Sequence, residues 1–339
     1  MQFPDVATIV RDPSWLAHRY DAAGDRIQFV PADREAHAHA TFLTDEFLHG
    51  HDRPAVIRRS DAIPAMAAPA PVHFIFHSAY CCSTLLARAF DVPGLAFALK
   101  EPSILNDLSG WRRRGAPPAA VADALRLSLG LLGKPFESGE QIVIKPSNVI
   151  NALAPAMLAT LPAARALLLY TPLPNYLASI AKKGMWGRLW VRELFVKLTR
   201  DGLTDYGFSA DDILQQTDLQ IAAIGWLAQH RAFAALCARF GPDRVATLQS
   251  ERLLADPQAG VTALAQFYGI DADSRLQAHV QSVFGTHSKT GESFSRDARE
   301  SEHVGSLAAH AEEVEKVVIW AEAVAKAAGQ PMELPLALR

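Results

Sequence analysis

The hydrophobic positions of this 339-residue chain fall into short apolar runs separated by longer segments with helical periodicity. Four of these runs lie at residues 72–76, 95–100, 141–144 and 166–170. Apolar runs of this length are typical of parallel strands that helices cover on both faces. A fifth run begins at Val245 and is followed by a short helical segment and a longer one that ends before Gly269. The pattern predicts an α/β protein, a three-layer sandwich with a mostly parallel central sheet.

The remaining segments complete this prediction. Long helices are predicted at about 117–133 and 209–240, and in the second an apolar stripe through Ile221, Ile224 and Leu227 indicates core packing. Residues 1–70 are predicted to form an N-terminal extension that packs on a domain at 71–339. Within the extension we expect a hairpin at 15–30 with its turn at Gly24, a short helix at 42–48 and an extended strap at 64–71.

The segment between the first run and the next helix is rich in small side chains. It contains Ser78, Ala79, Tyr80, Cys81 and Cys82. Backbone N–H groups there could surround an anion at the start of the helix, and Ser83 and Thr84 could add hydroxyl donors. An ordinary strand-to-helix turn capped by Ser83 explains the same residues. The nucleotide triphosphatase pattern G-x-x-x-x-G-K-[ST] does not match, because the segment has no glycine and no lysine before Ser83.

Charged residues end the next two runs. Lys100 and Glu101 follow one strand, and Lys145 follows the other. Because ligands bind beyond the carboxyl ends of parallel strands, these side chains are expected to face the ligand. A glutamate there could act as a general base and a lysine could stabilise negative charge. A glutamate that opens a surface helix and a lysine that extends to the solvent are the alternatives.

In this order, the segments resemble those of the sulfotransferases, whose 5′-phosphosulfate loop reads G-x-x-[RK]-[ST]-G-[ST]-T. His77 stands at the leading glycine, Tyr80 at the basic residue and Cys82 at the second glycine, while Ser83 and Thr84 match. The resemblance covers about residues 71–300 and depends on the order of four segments, the last of which ends at Gly269. The loop from His77 to Thr84 fits its pattern without gaps.

The resemblance implies transfer of a sulfuryl group from 3′-phosphoadenosine 5′-phosphosulfate to a hydroxyl or amine of a small-molecule or glycan acceptor. It implies Glu101 as the base, with Lys100 and Lys145 stabilising the transferred group. The implied donor contacts are Ser78, Ala79, Tyr80, Cys81, Cys82, Ser83, Thr84, Ser179, Lys182, Lys183 and Lys289. Ser179 matches the family's serine for the 3′-phosphate, whereas Thr171, eight residues earlier, replaces its arginine.

Two other functions are compatible with the same residues. An ATP-dependent small-molecule kinase would need a magnesium-binding carboxylate at a strand end, for which Glu101 is the candidate. A non-catalytic nucleotide-binding protein of the same fold would explain why the basic residues expected at Tyr80 and Thr171 are absent. The sequence identifies neither the acceptor nor the oligomeric state.

Composition and charge add a few expectations about partners, location and metal sites. A net charge of −3 gives no indication of a nucleic-acid partner. The chain has no run of 18 apolar residues and its first 14 residues do not resemble a signal peptide, so we expect a cytoplasmic protein without an integral membrane segment. Three cysteines make no disulfide framework, and the histidines near residues 37–51 lack a ligand spacing, so no metal site is predicted.

Overall fold

The computed structural model describes residues 3–50, 52–285 and 296–338, with side chains except those of residues 296–309. The N-terminal part contains α1 (Val6–Arg11), β1 (Trp15–Asp21), β2 (Arg26–Pro31), α2 (Arg34–His39), β3 (Ala55–Arg58) and α3 (Arg59–Ala62), followed by a 3-10 turn at Ile63–Ala65. Its strands form an antiparallel sheet in the order β1-β2-β3, and the hairpin predicted at 15–30 is confirmed.

The central sheet is the scaffold of the molecule. It consists of β4 (Val72–His77), β5 (Ala96–Lys100), β6 (Gln141–Lys145), β7 (Ala166–Tyr170) and β8 (Val245–Gln249). The strand order is β5-β6-β4-β7-β8, and all four pairings are parallel. Helices cover both faces, which confirms the predicted three-layer α/β architecture.

The helices that connect and cover these strands follow in chain order. They are α4 (Ser83–Ala89), α5 (Ser103–Arg113), α6 (Pro118–Leu132), α7 (Ala154–Thr160), α8 (Leu173–Lys182), α9 (Gly184–Arg200), α10 (Ala210–Gln215), α11 (Asp218–Phe240), α12 (Ser250–Ala255), α13 (Pro257–Tyr268), α14 (Ser274–Phe284) and α15 (Arg296–Ala327), with a 3-10 helix at Asn148–Leu153 before α7. Side chains of α4, α13 and α14 share one apolar cluster with one face of the sheet. Those of α5, α6 and α7 share another cluster with the opposite face.

Two helix predictions are wrong. Residues 42–48 form turns rather than a helix, because the Leu43 N–H donates to the Lys100 carbonyl (2.7 Å) and the Leu43 carbonyl accepts from Ser103 N–H (3.2 Å). In a helix the Leu43 carbonyl would accept from Phe47 N–H, which donates to the Thr44 carbonyl instead. The helix predicted at 209–240 is two helices, because Thr217 caps α11 in a capping box with Gln220 and so starts a new helix.

The N-terminal part is in close contact with the rest of the chain. Residues on both sides of position 70 share one apolar cluster, among them Phe29 and Ile57 on one side and Phe97 on the other. Arg19 donates two hydrogen bonds of 2.9 Å to the Asp107 carboxylate on α5. The antiparallel sheet therefore lies against the helix that follows Glu101.

Among the described residues, α11 is the one helix long and apolar enough to cross a membrane by length and composition. Of its most apolar stretch, 72% is buried inside the molecule. Its Leu227 packs with α8, and its Ile224 packs with Phe195 of α9. Core packing thus accounts for its composition.

Candidate active site

The loop from β4 to α4, residues 78–82, has an unusual backbone. Ala79, Tyr80 and Cys82 have φ values of 71°, 53° and 59°, in the left-handed region. A residue with a Cβ pays about 1–2 kcal/mol there. Cys82 is the residue directly before α4 and stands at the second glycine of the sulfotransferase pattern, and its φ gives the physical reason why glycine suits that position. Surrounding contacts must hold this loop in place.

The loop side chains have different surroundings. Cys81 is fully buried in the apolar cluster, and burial raises the pKa of its thiol to about 12. The Tyr80 ring packs against Tyr176 and Trp190, with ring centroids 5.9 and 5.4 Å apart, and burial raises its pKa to about 12. Ser78 is buried as well. Anion binding by this loop would therefore depend on its backbone rather than on the thiol of Cys81 or the ring of Tyr80.

The hydroxyl residues Ser83 and Thr84 occupy the first turn of α4. Each is 6% exposed. Their backbone N–H groups, like all those in a first helical turn, have no acceptor within the helix. The side chain of Cys82 does not cap this turn with a hydrogen bond. Binding of an external acceptor at this turn stays a prediction.

The structure brings Glu101 and Lys145 together. Lys100 and Lys145 are neighbours in the register of β5 and β6, and each is the last residue of its strand. The Lys145 ammonium forms an ion pair with Oε1 of Glu101. The Lys145 side chain is 1% exposed and that of Glu101 is 18% exposed, so the pair is buried on one side and open on the other.

The backbone of Glu101 sets the direction of this pair. Its φ is 55°, and its N–H donates to the Lys145 carbonyl at 2.7 Å. Left-handed backbone at a non-glycine residue costs energy and is found where surrounding contacts over-determine the conformation, often at functional sites. The residue before Pro102 is also disfavoured from the right-handed helical region. Glu101 is therefore turned out of the line of β5 and onto β6.

Lys100 has different partners from those the sequence suggests. Its Nζ donates to the Ala38 carbonyl at 3.0 Å, and the side chain is buried. Burial lowers the pKa of Lys100 to about 8, with Arg88 adding repulsion. A cavity of about 240 Å³ is lined by Ala38, Arg88 and Asp91 on this side. The lysine that is paired with Glu101 is Lys145, although Lys100 is adjacent to Glu101 in sequence.

A segment of the N-terminal extension covers the ion pair, and the sequence analysis missed its role. The Phe42 ring centroid lies 5.1 Å from Lys145 Nζ, within the range of a cation–π contact. Phe42 also packs edge-to-face against Phe47, at 5.7 Å between centroids. Both rings are half-buried. No local signal in the sequence could have indicated this contact, since it joins segments about 100 residues apart.

His77, the last residue of β4, lies among the candidate site residues, although the sequence analysis did not select it. Its Nδ1 accepts from Ala79 N–H at 3.1 Å and its Nε2 lies 3.1 Å from the Pro146 carbonyl. The same Nε2 is 3.9 Å from Oε1 of Glu101. The available signal was its position, because His77 stands where the sulfotransferase pattern has a glycine.

The carboxyl end of β7 carries a neutral and acidic network. Thr171 is fully buried, and its hydroxyl donates to the Tyr80 carbonyl at 2.9 Å. It also contacts the Ser250 hydroxyl at 2.9 Å, which in turn donates to the Glu251 carboxylate at 2.8 Å. Asn175 donates to the other oxygen of Glu251 at 2.9 Å. A carboxylate thus lies close to the position at which the sulfotransferase pattern has an arginine.

The predicted 3′-phosphate residues lie farther from the loop. Ser179 donates its hydroxyl to the Asn175 carbonyl within α8, at 2.8 Å. Lys182 is the last residue of α8 and Lys183 follows it, and both lysines are exposed. At 1.5 Å per residue, Lys182 lies about 13 Å along the helix axis from Leu173, the first residue of α8. Lys289 lies outside the described residues. The donor contacts of these residues stay predictions.

Within the described part of the chain, no group of three or more His, Cys, Asp or Glu side chains is arranged to hold a metal ion. His37 packs edge-to-face against Phe97 and Phe136 instead. Its burial lowers the pKa to about 3. This histidine therefore belongs to the apolar core.

Comparison with known proteins gives a distant likeness. The chain is similar to the sulfotransferase domain from the curacin biosynthetic pathway, with a TM-score of 0.42 and 13% identity over 67% of this chain and 84% of that domain. It is similar to a sulfotransferase from Mycobacterium tuberculosis H37Rv, with a TM-score of 0.41 and 14% identity over 66% of this chain and 75% of that one. It is also similar to a sulfotransferase from Mycobacterium avium, with a TM-score of 0.43 and 10% identity over 74% and 77%. No family model and no curated protein matches the sequence. Identities and TM-scores this low leave the activity to be argued from the residues of the site.

Proposed function

We propose that this chain transfers a sulfuryl group from 3′-phosphoadenosine 5′-phosphosulfate to a hydroxyl or amine of a small-molecule or glycan acceptor. The observation that carries the proposal is the Lys145–Glu101 ion pair, which lies at the carboxyl edge of the sheet beside the strand that leads into the 78–82 loop. Ligands of open parallel sheets bind at this edge. A cytoplasmic location is part of the same proposal.

Sulfuryl transfer requires few groups, and this edge supplies them. As the acceptor oxygen or nitrogen attacks sulfur, the Glu101 carboxylate takes the acceptor's proton. The bond between sulfur and the 5′-phosphate oxygen breaks, and adenosine 3′,5′-bisphosphate leaves with the electron pair. The Lys145 ammonium, held beside Glu101, stabilises charge on the transferring group. The first turn of α4 with Ser83 and Thr84 binds the 5′-phosphate.

Positioning and electrostatic stabilisation together supply most of the rate in such a mechanism. The Lys145 side chain is 1% exposed, so the field of its ammonium is little screened by water. Lys100 contributes positive charge behind the pair, with its Nζ anchored on the Ala38 carbonyl. The kinase alternative is less well supported, because its magnesium-binding candidate, Glu101, is held by Lys145.

A second candidate is a nucleotide-binding protein of this fold without sulfuryl transfer. The network of Thr171, Ser250 and Glu251 favours it. A carboxylate at the end of β8 would repel a 3′-phosphate bound nearby. Such a protein would bind adenosine 5′-monophosphate at least as well as adenosine 3′,5′-bisphosphate.

The melting temperature of the purified protein, followed with added nucleotides, separates these candidates. A ligand at 100 times its Kd stabilises the folded state by about 2.7 kcal/mol. Adenosine 3′,5′-bisphosphate should stabilise a sulfotransferase, and ATP with magnesium a kinase. Donor labelled with ³⁵S should then pass its label to members of a panel of phenols, alcohols, amines and sugars. Equal stabilisation by adenosine 5′-monophosphate and the bisphosphate, without label transfer, would support the second candidate.

A further inference from the structure

His77 connects three parts of the candidate site, two through its ring and one through its backbone carbonyl. Its Nδ1 accepts from Ala79 N–H in the loop, and its Nε2 lies within hydrogen-bond distance of the carbonyl of Pro146, the residue after Lys145. Its own carbonyl accepts from the Asn151 side chain at 3.0 Å. The side chain is 5% exposed. One buried residue thus contacts the loop, the end of β6 and the 3-10 helix beyond it.

These partners define the protonation of the ring. The Ala79 N–H can only donate, so Nδ1 must be unprotonated, and the Pro146 carbonyl can only accept, so Nε2 must carry the proton. A neutral imidazole with its proton on Nε2 satisfies both partners at once. Neither a glycine nor an aliphatic side chain at this position could do so.

The bond to Ala79 acts where the loop is strained. Ala79 and Tyr80 both have left-handed backbone, which unstrained alanine and tyrosine seldom adopt. An acceptor fixed under Ala79 N–H compensates part of that cost. The bond to Pro146 fixes the peptide directly after Lys145, whose carbonyl in turn accepts from Glu101 N–H at 2.7 Å. The ring therefore helps to fix the position of the loop relative to the Lys145–Glu101 ion pair.

We infer that His77 is a positioning residue, which holds the 78–82 loop and the Lys145–Glu101 pair in register so that a donor phosphate and the reacting group fit together. This inference rests on the proposed function. It assigns a role to a residue at which the sulfotransferase pattern has a glycine, so the role does not come from that pattern.

Two variants separate the two bonds of the ring. The amide oxygen of His77→Asn can take the place of Nδ1 and keep the Ala79 N–H bonded. The longer His77→Gln reaches the place of Nε2 but leaves the Ala79 N–H without its acceptor. His77→Ala removes both bonds. The matched control is His73→Gln: His73 lies on the same strand, its Nδ1 accepts from Arg165 N–H at 3.2 Å, and its Nε2 contacts Gln141 at 2.8 Å.

Two measurements are made on each variant. Amide hydrogen exchange of Ala79, measured by NMR without ligand, reports on the loop. Calorimetry with adenosine 3′,5′-bisphosphate reports on the assembled site. We expect exchange at least about tenfold faster and affinity about five- to tenfold weaker in His77→Gln and His77→Ala, as for loss of one hydrogen bond. His77→Asn should keep Ala79 exchange within about twofold of the wild type but weaken nucleotide affinity about five- to tenfold, because it lacks the bond to Pro146 that holds the end of β6.

The control distinguishes positioning from general destabilisation. His73→Gln should lower the free energy of unfolding while leaving Ala79 exchange and nucleotide affinity unchanged. Slow exchange of Ala79 in His77→Ala would overturn the inference, as would an equal loss of affinity in His73→Gln. If the wild type binds no nucleotide, the proposed function fails, and the exchange of Ala79 in the Asn and Gln variants alone then supports or overturns the role of His77.

Discussion

Replacing Glu101 by glutamine tests the proposed mechanism most directly, because the change removes the charge and keeps the shape. If Glu101 is the general base, turnover should fall by about 10²-fold or more, a loss of about 2.7 kcal/mol or more of transition-state stabilisation. Donor binding should remain, since the proposed mechanism assigns the 5′-phosphate to the loop and α4. The structure adds a second expected effect, on stability.

The size of that second effect follows from the burial of the pair. Removing one partner of a fully buried ion pair costs about 3–5 kcal/mol, whereas exposed pairs contribute about 0–1 kcal/mol. Here Lys145 is 1% exposed and Glu101 is 18% exposed, between these limits. The glutamine keeps an oxygen that can accept from the ammonium. We therefore expect Glu101→Gln to lower the free energy of unfolding by about 2 kcal/mol.

Urea denaturation gives the stability, and single-turnover transfer from ³⁵S-labelled donor gives the rate. The matched control is Glu140→Gln. The Glu140 side chain is fully buried, is paired with Arg34 and accepts from Gly94 N–H at 3.0 Å, near the start of β6 rather than at its carboxyl end. This control should lose at least as much stability as Glu101→Gln without losing turnover.

A double-variant cycle then measures the coupling of the pair. Glu101→Gln and Lys145→Met, alone and together, should show a coupling free energy of about 1–3 kcal/mol in stability, since residues in direct contact do not act additively. Undiminished turnover in Glu101→Gln would remove Glu101 from the mechanism. Strictly additive stabilities would contradict the ion pair itself.

Three further predictions follow from the same site. Thr84→Ala should weaken the binding of adenosine 3′,5′-bisphosphate by about 1–2 kcal/mol in calorimetry. An affinity equal to that of the wild type would mean that the 5′-phosphate binds elsewhere. In the wild type, a working site should prefer the bisphosphate over adenosine 5′-monophosphate by about tenfold or more in affinity. Replacing Lys182 and Lys183 together by serine should reduce this preference. An unchanged ratio of the two affinities would exclude both lysines from the 3′-phosphate site. Burial lowers the pKa of Lys100 from 10.5 to about 8, so the unfolded chain binds more protons between these values. In urea denaturation, the free energy of unfolding of the wild type, taken relative to that of Lys100→Met, should therefore rise by about 2 kcal/mol between pH 8 and pH 10. A difference between the two proteins that does not change with pH would contradict the burial of the Lys100 charge.

The strands were the most predictable part of the fold. All five apolar runs form strands, because burial on both faces leaves a local signal in each run. The four runs that were predicted with both bounds differ from the observed strands by one residue at most at either end. The helix expected at 42–48 was wrong because the bonds of Leu43 to Lys100 and Ser103 are not local. The break at Thr217 could have been predicted, since Thr217 and Gln220 form a readable capping box.

The candidate site was predictable in its location and less so in its pairings. Glu101 and Lys145 could be expected at one edge of the sheet because the carboxyl ends of parallel strands meet there. That His77 would contact both the loop and Pro146 could not be expected, because hydrogen bonding across 69 positions depends on strand order. The strand order β5-β6-β4 was not predicted.

The sequence by itself determined that this protein has a parallel sheet with charged residues at its carboxyl edge. Each apolar run and the polar residues at its end are neighbours in the sequence, so they can be recognised without knowledge of the tertiary structure. Only the tertiary structure decided which charges are paired. Register places Lys145 beside Lys100, the left-handed backbone turns Glu101 onto β6, and the Ala38 carbonyl holds Lys100. The physical reason is that an ion pair requires two side chains within about 4 Å, and that distance is set by strand order and by the N-terminal extension rather than by separation along the chain.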